Sequence, residues 1–127
     1  MALEDRRAQT VIPVSDLEQA TKWYEGVLGF RAGQRFSGGV IYHAGEGSQF
    51  QLYETPNAGK NPATLMGFVT TDIEGDVRAL KARGVVFEEY DMPGLKTVDS
   101  IADTDGARAA WFKDADGNIL GLLQLPG

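Results

Sequence analysis

Short apolar runs alternate with amphipathic stretches along the chain, and the change of period separates strands from helices. Residues 8–14 (AQTVIPV) form an apolar run of strand length, followed by SDLE. Ser15 with Glu18 reads as a capping box, so a helix is predicted to start there. Leu17, Ala20, Trp23, Tyr24, Val27 and Leu28 fall on one stripe of that helix, and Gly29 is its natural stop. Three strands are predicted next, over about 31–36, 39–44 and 48–54, with Ser37-Gly38 and Gly45-Glu46-Gly47 as the turns between them.

The pattern then recurs. GFVTTDIEGDVRALKARG supplies a strand, a Thr71/Glu74 capping box, an apolar stripe (Ile73, Val77, Leu80) and a stop at Gly84. Strands are predicted over 85–89, 107–112 and 119–124. Asp16-Leu17-Glu18 matches Asp72-Ile73-Glu74 at an offset of 56, and GSQFQLYETP (47–56) matches GNILGLLQLP (117–126) at an offset of 70. The extra length falls in DMPGLKTVDSIADTDG (91–106), expected to be a long loop, functional or mobile.

The expected fold class is therefore α+β: two βαβββ modules forming curved mixed sheets that enclose a cavity. One domain spans 1–127, made of a repeat over 8–56 and a repeat over 64–126. Each sheet has one face on its helix and one face needing a partner. Two such faces meet within a chain or across a dimer.

Composition narrows the partners. With 127 residues, 43% hydrophobic and 24% charged, the chain suits one core. No apolar run reaches the ~18 residues of a membrane span, and MALEDRRAQ lacks a signal peptide's apolar segment. Zero cysteines exclude disulfides and thiolate chemistry and fit a cytoplasmic location. The net charge of −6, with basic residues scattered among acids, argues against nucleic acid. A small molecule is the expected partner.

IPVSDLEQATKWYEGVLGF (12–30) and FKDADGNILGLLQ (112–124) resemble the opening and closing signatures of the vicinal oxygen chelate superfamily, which includes glyoxalase I, bleomycin-resistance proteins and extradiol dioxygenases. The resemblance implies the paired-module fold, a homodimer and, in metal-dependent members, four side chains on the sheet faces holding a divalent cation. Carried onto this chain, those positions are Gln9 (usually His or Gln), Gln51 (usually Glu), Met66 (usually His) and Gly121 (usually Glu). Gln51 brings no charge, Met66 offers a soft thioether and Gly121 offers nothing, whereas a zinc-type site needs three good ligands. No metal, no cofactor and no catalytic residue are expected.

Strand alternation groups Gln9 with Val11 and Pro13, Gln51 with Gln49 and Tyr53, Met66 with Phe68 and Thr70, and Gly121 with Ile119 and Leu123. Phe50, Leu52, Leu65, Val69, Leu120 and Leu122 form the opposite, helix-packing set. The candidate ligand-binding residues are Gln9, Gln51, Tyr53, Met66, Phe68 and Gly121, a mostly apolar set with two amides and a phenol. The plainer alternative has Gln9 and Gln51 bonded to each other and Met66 and Phe68 as core. Trp111 reads as core or as an aromatic platform, and Lys113 as solvated. His43, the single histidine, reads as a strand-end residue or as a general base without a carboxylate to orient it. DADGN reads as a tight turn and not a calcium loop. Loop 91–106 is either a lid or a solvated loop.

Three functions follow. The first is a metal-free small-molecule-binding protein of the glyoxalase/bleomycin-resistance type, holding a mostly apolar ligand between paired modules. The second is a superfamily lyase, isomerase or dioxygenase with a displaced metal, or with acid–base chemistry by His43 or Tyr53. The third is an interaction subunit whose cavity is filled.

Overall fold

The computed structural model describes residues 2–126. The first module runs β1 (Thr10–Val14), α1 (Leu17–Gly26), β2 (Gln34–Phe36), β3 (Gly39–His43) and β4 (Gln49–Glu54). The second runs β5 (Thr64–Val69), α2 (Ile73–Ala82), β6 (Asp91–Met92), β7 (Leu95–Val98), β8 (Ile101–Thr104), β9 (Ala107–Lys113) and β10 (Ile119–Gln124). The architecture is α+β with two mixed, open sheets. One has the order β1-β4-β3-β2 and the other β5-β10-β9-β8-β7-β6. In each, the module's first and last strands pair in parallel and the remaining neighbours are antiparallel.

Both helices start one residue later than the capping boxes place them. Asp16 caps α1 by accepting from the Gln19 amide at 3.2 Å, and Asp72 caps α2 by accepting from the Gly75 amide at 3.1 Å. Ser15 is unavailable as a cap because its hydroxyl and amide both donate to Asp116. A second capping bond repeats across the modules. Glu54 at the end of β4 accepts from the Leu17 amide at 2.9 Å, and Gln124 at the end of β10 accepts from the Ile73 amide at 2.8 Å. Each last strand thus satisfies an amide in the first turn of its own module's helix.

Segment 91–106 is not a loop. It folds into β6, β7 and β8, which widen the second sheet through two-residue turns. Gly94 takes φ +82°, Asp99 and Ser100 take φ 51° and 75°, and Asp105 and Gly106 take φ 53° and 91°. The last two turns have positive φ at both central residues, the hairpin geometry that matches the twist of the flanking strands; in the first, Pro93 leaves the positive φ to Gly94 alone. Glu89 holds the Asp99-Ser100 turn, accepting from the Ser100 amide at 3.1 Å and hydroxyl at 2.6 Å.

The strand expected over 85–89 is reduced to a single bridge between Phe87 and Phe112. Val85 and Phe87 are spent on the core instead, and Phe87 meets the Phe112 ring edge-on at 5.3 Å. β8 takes the sheet position beside the start of β9 that the expected strand would have held.

The two modules share one core. Ile12, Val14, Val40, Tyr42, Phe50 and Leu52 from the first sheet join Ala110, Phe112, Leu120 and Leu122 from the second. Trp23 on α1 reaches Phe112 at 6.4 Å between ring centres, and Phe30 reaches Phe68 at 5.9 Å. The alternate residues of both sheets face away from this core, and neither sheet closes on itself.

Candidate functional site

The first sheet's outward face is built by register. Parallel pairing sets Val11 beside Gln51 and Pro13 beside Tyr53, and antiparallel pairing sets Ile41 beside Gln51 and His43 beside Gln49. The neighbouring positions Ile12, Phe50, Leu52, Val40 and Tyr42 are buried, so their partners must point the other way. On that face Gln9 Nε2 donates to Gln51 Oε1 at 2.8 Å. Beside it Arg7 donates to Gln49 Oε1 at 2.8 Å, and Gln49 Nε2 donates to His43 Nδ1 at 3.2 Å. Tyr53 is 38% and Val11 47% exposed.

Sequence reasoning placed Gln9, Gln51 and Tyr53 on one face, and the structure brings these three together. Arg7 went unnoticed because it precedes β1 and joins the row only through Gln49, which lies on β4. The His43 ring has a neutral amide as its partner, not a carboxylate that would orient it as a general base.

The second sheet departs from expectation at two residues. Met66 pairs with Leu120 and Phe68 with Leu122, which places both on the core side. Met66 packs against the buried cluster, and Phe68 stacks near Phe30 and Phe50 at 5.9 and 6.3 Å. The cause is a register shift between Ile119 and Leu120, at which Leu65 is the extra residue. A one-residue slip moves every following side chain to the opposite face. Val69, assigned to the helix side, is correspondingly outward and 72% exposed.

Gly121 does lie on the outward face. It pairs with Gly67 on one side and Trp111 on the other. A methyl group at Gly121 would meet Trp111 Cδ1 at 3.5 Å and Thr64 Cγ2 at 3.6 Å. The room left by the missing side chain is therefore a slot bordered by Trp111 and Thr64. Tyr90 meets the Trp111 ring edge-on at 5.6 Å. Trp111 thus belongs to the outward face and not to the shared core.

This donor set does not fit a divalent cation. Gln9 and Gln51 spend an amide on each other, Met66 points into the core and Gly121 has no ligand atom. Among the described residues no three His, Asp, Glu or Cys side chains stand close enough to hold a metal ion. DADGN serves as a structural turn. Asp114 accepts from the Asp116 and Asn118 amides, each at 2.9 Å, and Asn118 Nδ2 donates to the Pro13 carbonyl at 2.7 Å.

Two mixed sheets of repeated βα units, each closing its first strand in parallel on its last, define the paired-module class. A family model for the Glyoxalase/Bleomycin resistance protein/Dioxygenase superfamily matches residues 6–122, and the chain belongs to that superfamily. It is similar to TnmS3, an antibiotic binding protein from Streptomyces sp. CB03234, at 29% identity and TM-score 0.65, covering 94% of this chain and 93% of that one. A glyoxalase/bleomycin resistance protein from Catenulispora acidiphila shares the fold at 21% identity and TM-score 0.66, over 94% and 98% of the two chains. A glyoxalase/bleomycin resistance protein/dioxygenase from Alicyclobacillus acidocaldarius does so at 18% identity and TM-score 0.67, over 98% and 95%. No curated protein matches the chain. No helix among the described residues is long and apolar enough to cross a membrane.

Proposed function

We propose that the chain is a metal-free small-molecule-binding protein of the glyoxalase/bleomycin-resistance type, acting as a cytoplasmic homodimer. Its ligand lies on the outward sheet faces, against Gln9, Gln51 and Tyr53 of one module and Gly121 with Trp111 of the other. The Gln9–Gln51 bond is the one the plainer reading expects; the carrying observation is the open face around it, on which Val11 and Tyr53 stand exposed. The amides of Gln9 and Gln51, with Val11 and Tyr53 beside them, orient a ligand by hydrogen bonds and leave its chemistry alone. TnmS3, similar at 29% identity, is an antibiotic binding protein, which supports the same use of the fold.

A single chain leaves both faces open, with Val11, Tyr53 and Val69 exposed. A second copy laid across them supplies the missing wall and turns two open faces into one cavity. The test is a thermal-shift screen of neutral and weakly polar organic compounds alongside Mn, Fe, Ni and Zn salts. Stabilisation by an organic compound, weakened by Gln51→Ala and indifferent to chelator, is expected. Stabilisation by a metal alone, with turnover, would replace this reading with the enzymatic one.

A further inference from the structure

The three β-strands of segment 91–106 do more than widen the second sheet. Two of them, β7 and β8, with α2 and β9, line an open groove of about 650 Å³ on the core side of that sheet, remote from the outward face. Its apolar part is formed by Val77, Val98 and Ile101, and Val98 is 66% exposed in it. Its rim carries Arg78 and Lys81 from α2 and Lys96 from β7.

The groove's lining carries four cations against three carboxylates, with Glu74 four residues before Arg78 on α2 and Glu89 close enough to Lys81 to feel its charge. Arg78 and Lys81 are three residues apart on α2, a spacing at which like charges repel, and Lys96 faces the same groove from the other wall. None of the three has an ion pair among the described residues, in a chain with a net charge of −6. Of the carboxylates lining the groove, Glu74 is taken by Arg108 at 2.6 Å and Asp103 accepts from the Gly106 amide at 3.1 Å. Asp99, at the turn, is the remaining one.

We propose that this groove is a second binding site, for an amphipathic monoanion: an alkyl or aryl carboxylate or sulfonate. One such molecule meets both features of the lining, the apolar patch and the excess of cations. Its tail covers Val98 against Val77 and Ile101, and its head neutralises the converging Arg78, Lys81 and Lys96 cations. The site is independent of the Gln9–Gln51 face, so it stands or falls separately from the ligand proposed there.

Calorimetric titration of the full chain with octanoate and with 1-octanol, which shares the tail without the charge, tests the site. Saturable octanoate binding is expected, with octanol weaker by about tenfold or more. Arg78→Glu with Lys96→Glu should abolish octanoate binding in a chain that keeps the parent's circular dichroism spectrum. Arg78→Gln with Lys96→Gln gives the same reading, reduced in size, if the charge reversal disturbs folding as judged by circular dichroism. Absence of saturable octanoate binding, equal affinity for octanol, or octanoate binding undiminished in both double variants overturns the proposal.

Discussion

The Tyr24 hydroxyl donates a 2.7 Å hydrogen bond to Asp114 Oδ2, tying the buried side of α1 to the turn that opens the last strand of the other module. Asp114 also receives Asn118 Nδ2 at 2.9 Å and the two turn amides, so both carboxylate oxygens are occupied in a buried site. Tyr24→Phe removes one donor and leaves Asn118 to cover the same oxygen. We expect a loss toward the low end of the ~1.5–3 kcal/mol typical of bonds to charged groups, measured by urea denaturation. Asp114→Ala should cost more, because it strands the turn amides as well as the hydroxyl.

The same tyrosine makes stability fall in alkali. Burial first, and the neighbouring Asp114 charge second, push the Tyr24 phenol far above its ordinary value. Tyr42 is also raised, by burial and then by its hydrogen bond to Glu25. A raised folded-state pKa means the stabilisation is complete below the unfolded value, near ~10, and is lost as pH climbs above it. Unfolding free energy should therefore decline above about pH 10, and Tyr24→Phe should flatten part of that decline.

Glu89 carries the opposite sign. Hydrogen bonds from Ser100, then from Thr97, hold its carboxyl below the ordinary carboxylate range. Its contribution is present above the unfolded pKa and disappears as pH falls through the lower folded one. The Ser100 amide's protection from hydrogen exchange, measured against the unstructured rate at each pH, should fall on acidification. Glu89→Gln should show that reduced protection already at neutral pH.

Glycine substitutions separate a spare position from a required one. Gly121→Ala meets only ordinary contacts and should raise stability by roughly 0.5–1 kcal/mol, since glycine in a strand carries that entropic cost. Gly59→Ala should destabilise instead, because its Cβ would fall 2.2 Å from the Asp116 carbonyl oxygen at φ +73°. Thermal melts of the two variants should move in opposite directions.

Dimerisation is tested by light scattering coupled to gel filtration. We expect twice the chain mass, with Val69→Asp, on the outward face, shifting it to the monomer. The melting temperature of the parent chain should rise with protein concentration and that of the variant should not.

Much of the frame was readable in advance. The repeated DLE and DIE helix starts and the GSQFQLYETP and GNILGLLQLP closings gave the two modules and the amide pair of Gln9 and Gln51. The turns inside 91–106 were readable too, since Pro93-Gly94 and Asp105-Gly106 are hairpin dipeptides. They went unrecognised because Asp99-Ser100 lacks glycine and broke the pattern between them. Its left-handed backbone depends on Glu89, a contact 11 residues away in sequence.

Local sequence determined the two helices and the first and last strands of each module, because capping residues, glycines and apolar period act within a few neighbours; strands 91–104 and the loss of a strand at 85–89 depended on partners distant in the chain. It also set which side chains stand at the four positions where metal-dependent relatives carry ligands, since ligand identity is a property of the residue alone. Only the tertiary structure decided which way β5 faces. Alternation carries no absolute phase, so a single unpaired residue at Leu65 sent Met66 and Phe68 inward and Val69 outward. Likewise Trp111 became part of the outward face, and Lys96 came to oppose Arg78, through strand pairing between residues distant in the chain.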